Sequence, residues 1–109
     1  MAYDEGIAEV LRADLSGEPG IGEKKMFGGL CFTLHGNMLC TAGKGRGLFR
    51  VGKAAEAQAL AIEGVTPMEM AGRRMGGFVD ADSEIYGDDA RRGPLLAMAL
   101  DFVRGLPPK

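Results

Sequence analysis

The chain has 109 residues, of which 46% are apolar and 26% charged, and it carries a net charge of −2. That length supports one hydrophobic core and not two, and the balance excludes both a disordered tail and a global basic field for nucleic acid. No run approaches the ~18 apolar residues of a membrane span. Asp4, Glu5 and Glu9 stand where a signal peptide needs an apolar stretch. The expectation is one domain over residues 1–109, resident in the cytoplasm. The 18 glycines punctuate apolar segments, which predicts many tight turns.

Residues 4–15 read as a helix. Ile7, Val10, Leu11 and Leu15 recur on one face, Asp4 can cap the start, and the Gly17 to Gly20 stretch ends it. Ile21 to Leu34 is either one strand bent at Gly28-Gly29, the favoured reading, or two short strands. His35-Gly36 makes a two-residue type I′ turn, and residues 38–42 return antiparallel. Gly43 to Arg46 is a second turn and residues 47–51 the next strand. A second helix covers 53–62, with Gly64 ending it. Candidate strands at 66–71 and 77–81 are joined by the 72–76 connection, and 82–93 is polar connection. Pro94 suits the first turn of a last helix carrying Leu95, Met98, Ala99 and Phe102, with Gly105 as a left-handed cap. The order α-β3-α-β2-α predicts an α+β, two-layer fold: a single antiparallel sheet of about five strands, with helices packed on one face.

Alternation places Leu30, Phe32 and Leu34 on one sheet face and Cys31 and Thr33 on the other. With the turn at His35-Gly36, Cys31 stands opposite Cys40 at a non-hydrogen-bonded position, whose Cα atoms are ~4.5 Å apart and so within reach of a disulfide. A turn one residue later makes the two cysteines diagonal and removes the pair. The alternative to a redox pair is two free, partly buried thiols acting as small hydrophobes. Two cysteines and one histidine do not form a zinc set, so no metal or other cofactor is expected. His35 has no serine or carboxylate held near it by spacing and reads as a turn residue, not as part of a triad. Gly43 to Gly47 lacks the phosphate-loop fingerprint and runs into a strand. The basic pairs Lys24-Lys25, Arg73-Arg74 and Arg91-Arg92 have no interleaved aromatics, so direct nucleic-acid binding is not expected. If helices cover Phe32 and Leu39, the opposite face shows Cys31, Thr33, Met38 and Cys40, an apolar surface that either further helices or a partner must cover.

The stretch Lys24-Lys25-Met26-Phe27-Gly28-Gly29, then Phe32, then His35-Gly36-Asn37 resembles the signature of the TfoX N-terminal domain family, named for a bacterial competence regulator. The resemblance runs on through Arg50-Val51-Gly52, Pro67-Met68, Gly72-Arg73 and Leu106 to Lys109. It implies a secretion-chaperone-like two-layer domain, a stand-alone copy of the N-terminal domain, a link to transcriptional control, and no catalytic residues. His35, Arg74 and Phe78 stand where Asn, Pro and Trp are usual in that family.

Together these readings point to a non-enzymatic regulatory or adaptor domain working through protein contact, with homodimerisation as one form of that contact. The candidate contact or ligand residues are Lys24, Lys25, Phe27, Gly28, Gly29, Arg50 and Arg73. The alternative is a small-ligand or thiol-redox protein that uses the Gly28-Gly29 region, with Arg50 or Lys25 as anion anchor, or the Cys31/Cys40 pair.

Overall fold

The computed structural model describes residues 4–26, 29–70 and 72–109. Helix α1 spans Glu5–Asp14, and the Asp4 carboxylate caps it by accepting from the Gly6 N–H. Ile7, Ala8 and Leu11 are buried along it, the stripe that the spacing demands. Strands β1 (Ile21–Met26) and β2 (Gly29–Leu34) follow and pair antiparallel, from Ile21 opposite Leu34 to Met26 opposite Gly29. The reading of one bent strand is thereby corrected. Folding back lets the two halves satisfy each other's backbone N–H and C=O groups, which a continuous strand could not do. Phe27 and Gly28 lie outside the described residues.

The turn into β3 (Asn37–Ala42) has φ of 52° at His35 and 85° at Gly36. Both are positive, as a type I′ turn requires. The C-terminal tail secures this turn: the Lys109 N–H donates to the His35 carbonyl (2.9 Å) and the Asn37 Nδ2 to the Pro107 carbonyl (2.9 Å). Beside the turn, Leu34 faces Asn37 and Thr33 faces Met38 as expected. A bulge then shifts the register by one residue, so Phe32 faces Cys40 and Cys31 faces Thr41. The expected Cys31–Cys40 pairing is corrected. Turn geometry predicts the first two rungs, but a bulge inserts one extra residue, here Leu39, into one strand and moves every later rung.

The chain continues through β4 (Arg46–Arg50), α2 (Glu56–Leu60), β5 (Val65–Met70), β6 (Arg73–Asp82), α3 (Ser83–Tyr86) and α4 (Asp89–Arg104). The six strands form one antiparallel sheet in the order β1-β2-β3-β4-β6-β5, one more than expected because Ile21 to Leu34 divides. Pro67 sits in β5, an edge strand, where its missing N–H costs no ladder bond. The 72–76 connection is shorter than expected, since Arg73 already pairs with Met70. The 82–93 segment is not connection but two helix starts, capped by the Asp82 and Asp88 carboxylates. Pro94 therefore lies inside α4 and not in its first turn, and Gly105 stays in the right-handed region with φ −80°.

All four helices pack on one face: α1 against β3, α4 against β3 and β4, and α2 and α3 against β6. Between the layers lie Phe32, Leu34, Leu39, Phe49, Val79, Ile85 and Leu95, all fully buried. Side chains of this kind contribute ~1.5–3 kcal/mol each relative to exposure. Arg92 ties the helices together, reaching Asp14 at 2.6 Å, Asp89 at 2.7 Å and the Tyr86 carbonyl at 2.6 Å. The Tyr86 ring stacks on Phe49 at 6.0 Å and reaches over Gly47, where an added Cβ would collide with its hydroxyl and with the Thr41 carbonyl.

The Tyr86 hydroxyl is buried without a hydrogen-bond partner. Tyr86→Phe removes that uncompensated group, so thermal unfolding should occur at the same or a higher temperature. Gly47→Ala overpacks the same spot and should cost about 1–3 kcal/mol, read as a lowered midpoint in denaturant titration.

Candidate functional site

The face of the sheet away from the helices holds a concavity of about 390 Å³. Four of the seven methionines, Met26, Met38, Met68 and Met75, line it together with Leu48 and Phe78. Each strand contributes by its alternation. On β4, Gly47 and Phe49 point into the core, so Leu48 and Arg46 point out. On β6, Val79 and Ala81 point in, so Phe78 and Asp80 point out. Met75 breaks this pattern. Gly77, with φ 86°, reverses the alternation of β6, so Arg74 turns to the helix side, where it meets Glu56 at 2.8 Å, while Met75 faces the concavity. A side chain at position 77 would resist that φ.

Two polar groups mark the concavity. Asp80 has one carboxylate oxygen buried without a hydrogen bond, and the largely exposed Arg46 stands 3.5 Å from it at ion-pair distance only. Burial pushes the Asp80 carboxyl above the usual carboxylate range, and the attraction of Arg46 only partly opposes this. The Thr41 hydroxyl is engaged, accepting from the Leu48 N–H at 3.1 Å.

The candidate residues named from the sequence do not form one site. Met26 and Gly29 border the concavity, and an added Cβ at Gly29 would lie 2.5 Å from the Ala42 carbonyl oxygen. Lys24 is exposed on the same face beside Cys31, whereas Lys25 pairs with Leu30 and so belongs to the opposite face. Arg73 is exposed next to the β5–β6 turn. Arg50 is half-buried at the end of the internal strand β4, with its guanidinium carbon 5.6 Å from the centres of both Phe78 and Phe102. Phe27 and Gly28 are outside the described residues. The residues missed from the sequence are Leu48, Met68, Met75, Phe78, Arg46 and Asp80. For Arg46, Leu48, Phe78 and Asp80 the signal was the period-two pattern of β4 and β6. Met68 stands at the irregularity of β5, and Met75 breaks the pattern within the 72–76 stretch read as connection.

Both cysteines are buried and free. Cys40 belongs to the core with Phe32, while Cys31 lies on the other side of the sheet between Lys24 and Thr41. Burial raises both thiols above their ordinary range, which disfavours the thiolate that disulfide chemistry needs. Among the described residues no group of His, Cys, Asp and Glu is placed to hold a metal ion, and no helix is long and apolar enough to cross a membrane.

The family model for the TfoX N-terminal domain matches residues 13–103. The chain belongs to the TfoX N-terminal domain family. No match was found among the curated proteins or among the solved structures. The matched span contains every strand of the sheet and every residue lining the concavity, so the open face is built from the TfoX N-terminal domain itself.

Two outcomes follow from this geometry. Asp80 titrates above its unfolded value of 3.8, so its neutral form favours folding at low pH, and that contribution is lost as pH rises through the folded value. Asp80→Asn should therefore raise the melting temperature at neutral pH, with the gain shrinking as pH falls through the folded value and gone by about pH 4. For the thiols, mild oxidation of the folded protein should leave two groups that react with a thiol reagent after denaturation. Loss of both as an intramolecular disulfide would show that the strands can abandon the bulged register.

Proposed function

We propose that this TfoX N-terminal domain is a non-enzymatic regulatory or adaptor module that acts in the cytoplasm by protein contact through its open sheet face. One observation carries the proposal. An apolar concavity lined by four methionines lies on the face that no described helix covers, and contiguous exposed apolar surface of this kind marks interaction sites. Methionine suits such a face because its unbranched, polarisable side chain adapts to differently shaped partners. The partner is a protein segment presenting one or two apolar side chains to the methionines and a hydrogen-bond donor to the unpaired Asp80 oxygen. Family membership supports a competence-regulator-like role, exercised through contact with other proteins of transcriptional control.

The test combines capture from a lysate of the source cells with Leu48→Glu, which places a charge in the concavity without entering the core. Wild type should retain a discrete protein partner and Leu48→Glu should lose it at an unchanged melting temperature. Light scattering after size exclusion reads self-association separately. A dimer abolished by Leu48→Glu makes the partner a second copy of this chain, and a monomer that captures nothing overturns the proposal.

A further inference from the structure

A second site lies beside the methionine-lined concavity, where the end of β4 meets the 76–77 stretch of β6 and Phe78 borders both. It is built around Arg50. Of the arginines that are not fully exposed, Arg12, Arg91 and Arg92 each hold a carboxylate within 2.8 Å. Arg50 is half-buried as well, yet no carboxylate of the described residues lies within ion-pair distance of it. Its position is nevertheless well defined. Phe78 and Phe102 hold the guanidinium at 5.6 Å each, and one terminal nitrogen donates to the Met38 carbonyl at 3.4 Å. Partial burial of an unneutralised cation is costly. The aromatic rings offset part of that cost through their quadrupoles, but they leave most of the N–H donors of the planar fork unused.

The surroundings complete a cationic niche. Arg50 lines a cavity of about 380 Å³ together with Lys53, Gly52, Gly76 and Gly77. The Lys53 stem crosses Gly76, whose added Cβ would stand 3.0 Å from the Lys53 Cε. Lys53 also has no carboxylate of the described residues within ion-pair distance. Glu56, the acidic group whose charge reaches Lys53, is already engaged by the Gly77 N–H and by Arg74, both at 2.8 Å, and these hold it below the usual carboxylate range. The backbone here is drawn tight, since the N–H groups of Val51 and Gly52 both donate to the Gly77 carbonyl at 2.9 and 3.0 Å. Two cations without carboxylate partners therefore border one pocket whose frame is held by its own hydrogen bonds.

We propose that this niche is a binding site for a small oxyanion, a carboxylate or phosphate group, held by the Arg50 fork with Lys53 as a second cation. A guanidinium edge matches the paired oxygens of both groups, and the ammonium of Lys53 adds a charge that needs no fixed geometry. The site borders the open-face concavity at Phe78, but the two cations that define it, Arg50 and Lys53, do not line that concavity, so each proposal is tested by substitutions of its own.

The test is amide chemical-shift titration of the full chain at constant ionic strength, with inorganic phosphate in one arm, acetate in a second and chloride as the control. Saturable shifts are expected at Gly52, Lys53, Gly76 and Gly77 with phosphate or acetate and not with chloride. A response to only one anion identifies which of the two groups the site takes. Arg50→Gln should abolish saturation, Lys53→Ala should weaken it by roughly tenfold, and Arg73→Gln, an exposed arginine elsewhere, should leave it unchanged. If Arg50→Gln does not fold, Arg50→Lys keeps the charge without the fork and should weaken binding while preserving the spectrum. Shifts that stay linear, that match those in chloride or that persist in Arg50→Gln overturn the proposal. So does the absence of any shift.

Discussion

The structure depends on one extra residue in β3. If β2 and β3 paired without interruption from the His35-Gly36 turn, Leu39 and Cys40 would point to opposite faces and Cys31 would face Cys40. The bulge at Leu39 instead buries both Leu39 and Cys40 on the helix side and places Thr41 opposite Cys31. The core gains two side chains in place of one, and the open face keeps Met38 and Thr41 as neighbours. The cost is a locally disrupted ladder, and burial of Leu39 with α1 and α4 packed against β3 offsets it.

The sheet is consequently two different surfaces. Its inner side is filled by aromatic and branched residues and fastened at the helix level by Arg92, a buried cation whose charge is met by Asp14 and Asp89. Its outer side is soft, built of methionines around a carboxylate oxygen that nothing satisfies. Native proteins leave few buried polar atoms unpaired, and those that remain call for an explanation. Among the described residues such side-chain atoms occur at Asp80 on the outer side and Tyr86 within the core. The first faces a cavity that a partner can enter, whereas the second is sealed against Phe49 and Gly47 and has only a packing role.

Much of this was legible before folding. The stripe of α1, its Asp4 cap, the type I′ turn at His35-Gly36 and the alternation of Leu30, Phe32 and Leu34 all follow from local spacing, and each took the expected form. Local rules also misled where two of them competed. Gly28-Gly29 fits a bend or a hairpin equally well, and only pairing between β1 and β2 decides between them. The 82–93 segment looked polar because its caps, Asp82 and Asp88, are polar, while buried Ile85 and Tyr86 were too few to show a period. The candidate residues around Lys24 scattered because adjacent lysines on a strand must point to opposite faces.

Sequence by itself therefore determined the fold class, most of the helix and strand positions and the family, since these rest on periodicities of 2 and 3.6 and on short stretches of contiguous residues. Only the tertiary structure decided the register beyond the first two rungs, the separation of Cys31 from Cys40, and the gathering of Met26, Met38, Met68 and Met75 into one concavity. Those outcomes are set by a bulge in β3 and by a left-handed glycine in β6. The first moves the β2–β3 register by one residue, and the irregular stretch around the second moves the β5–β6 register by three. Both are odd numbers that carry side chains from one face to the other, and the composition on either side carries no trace of the shift.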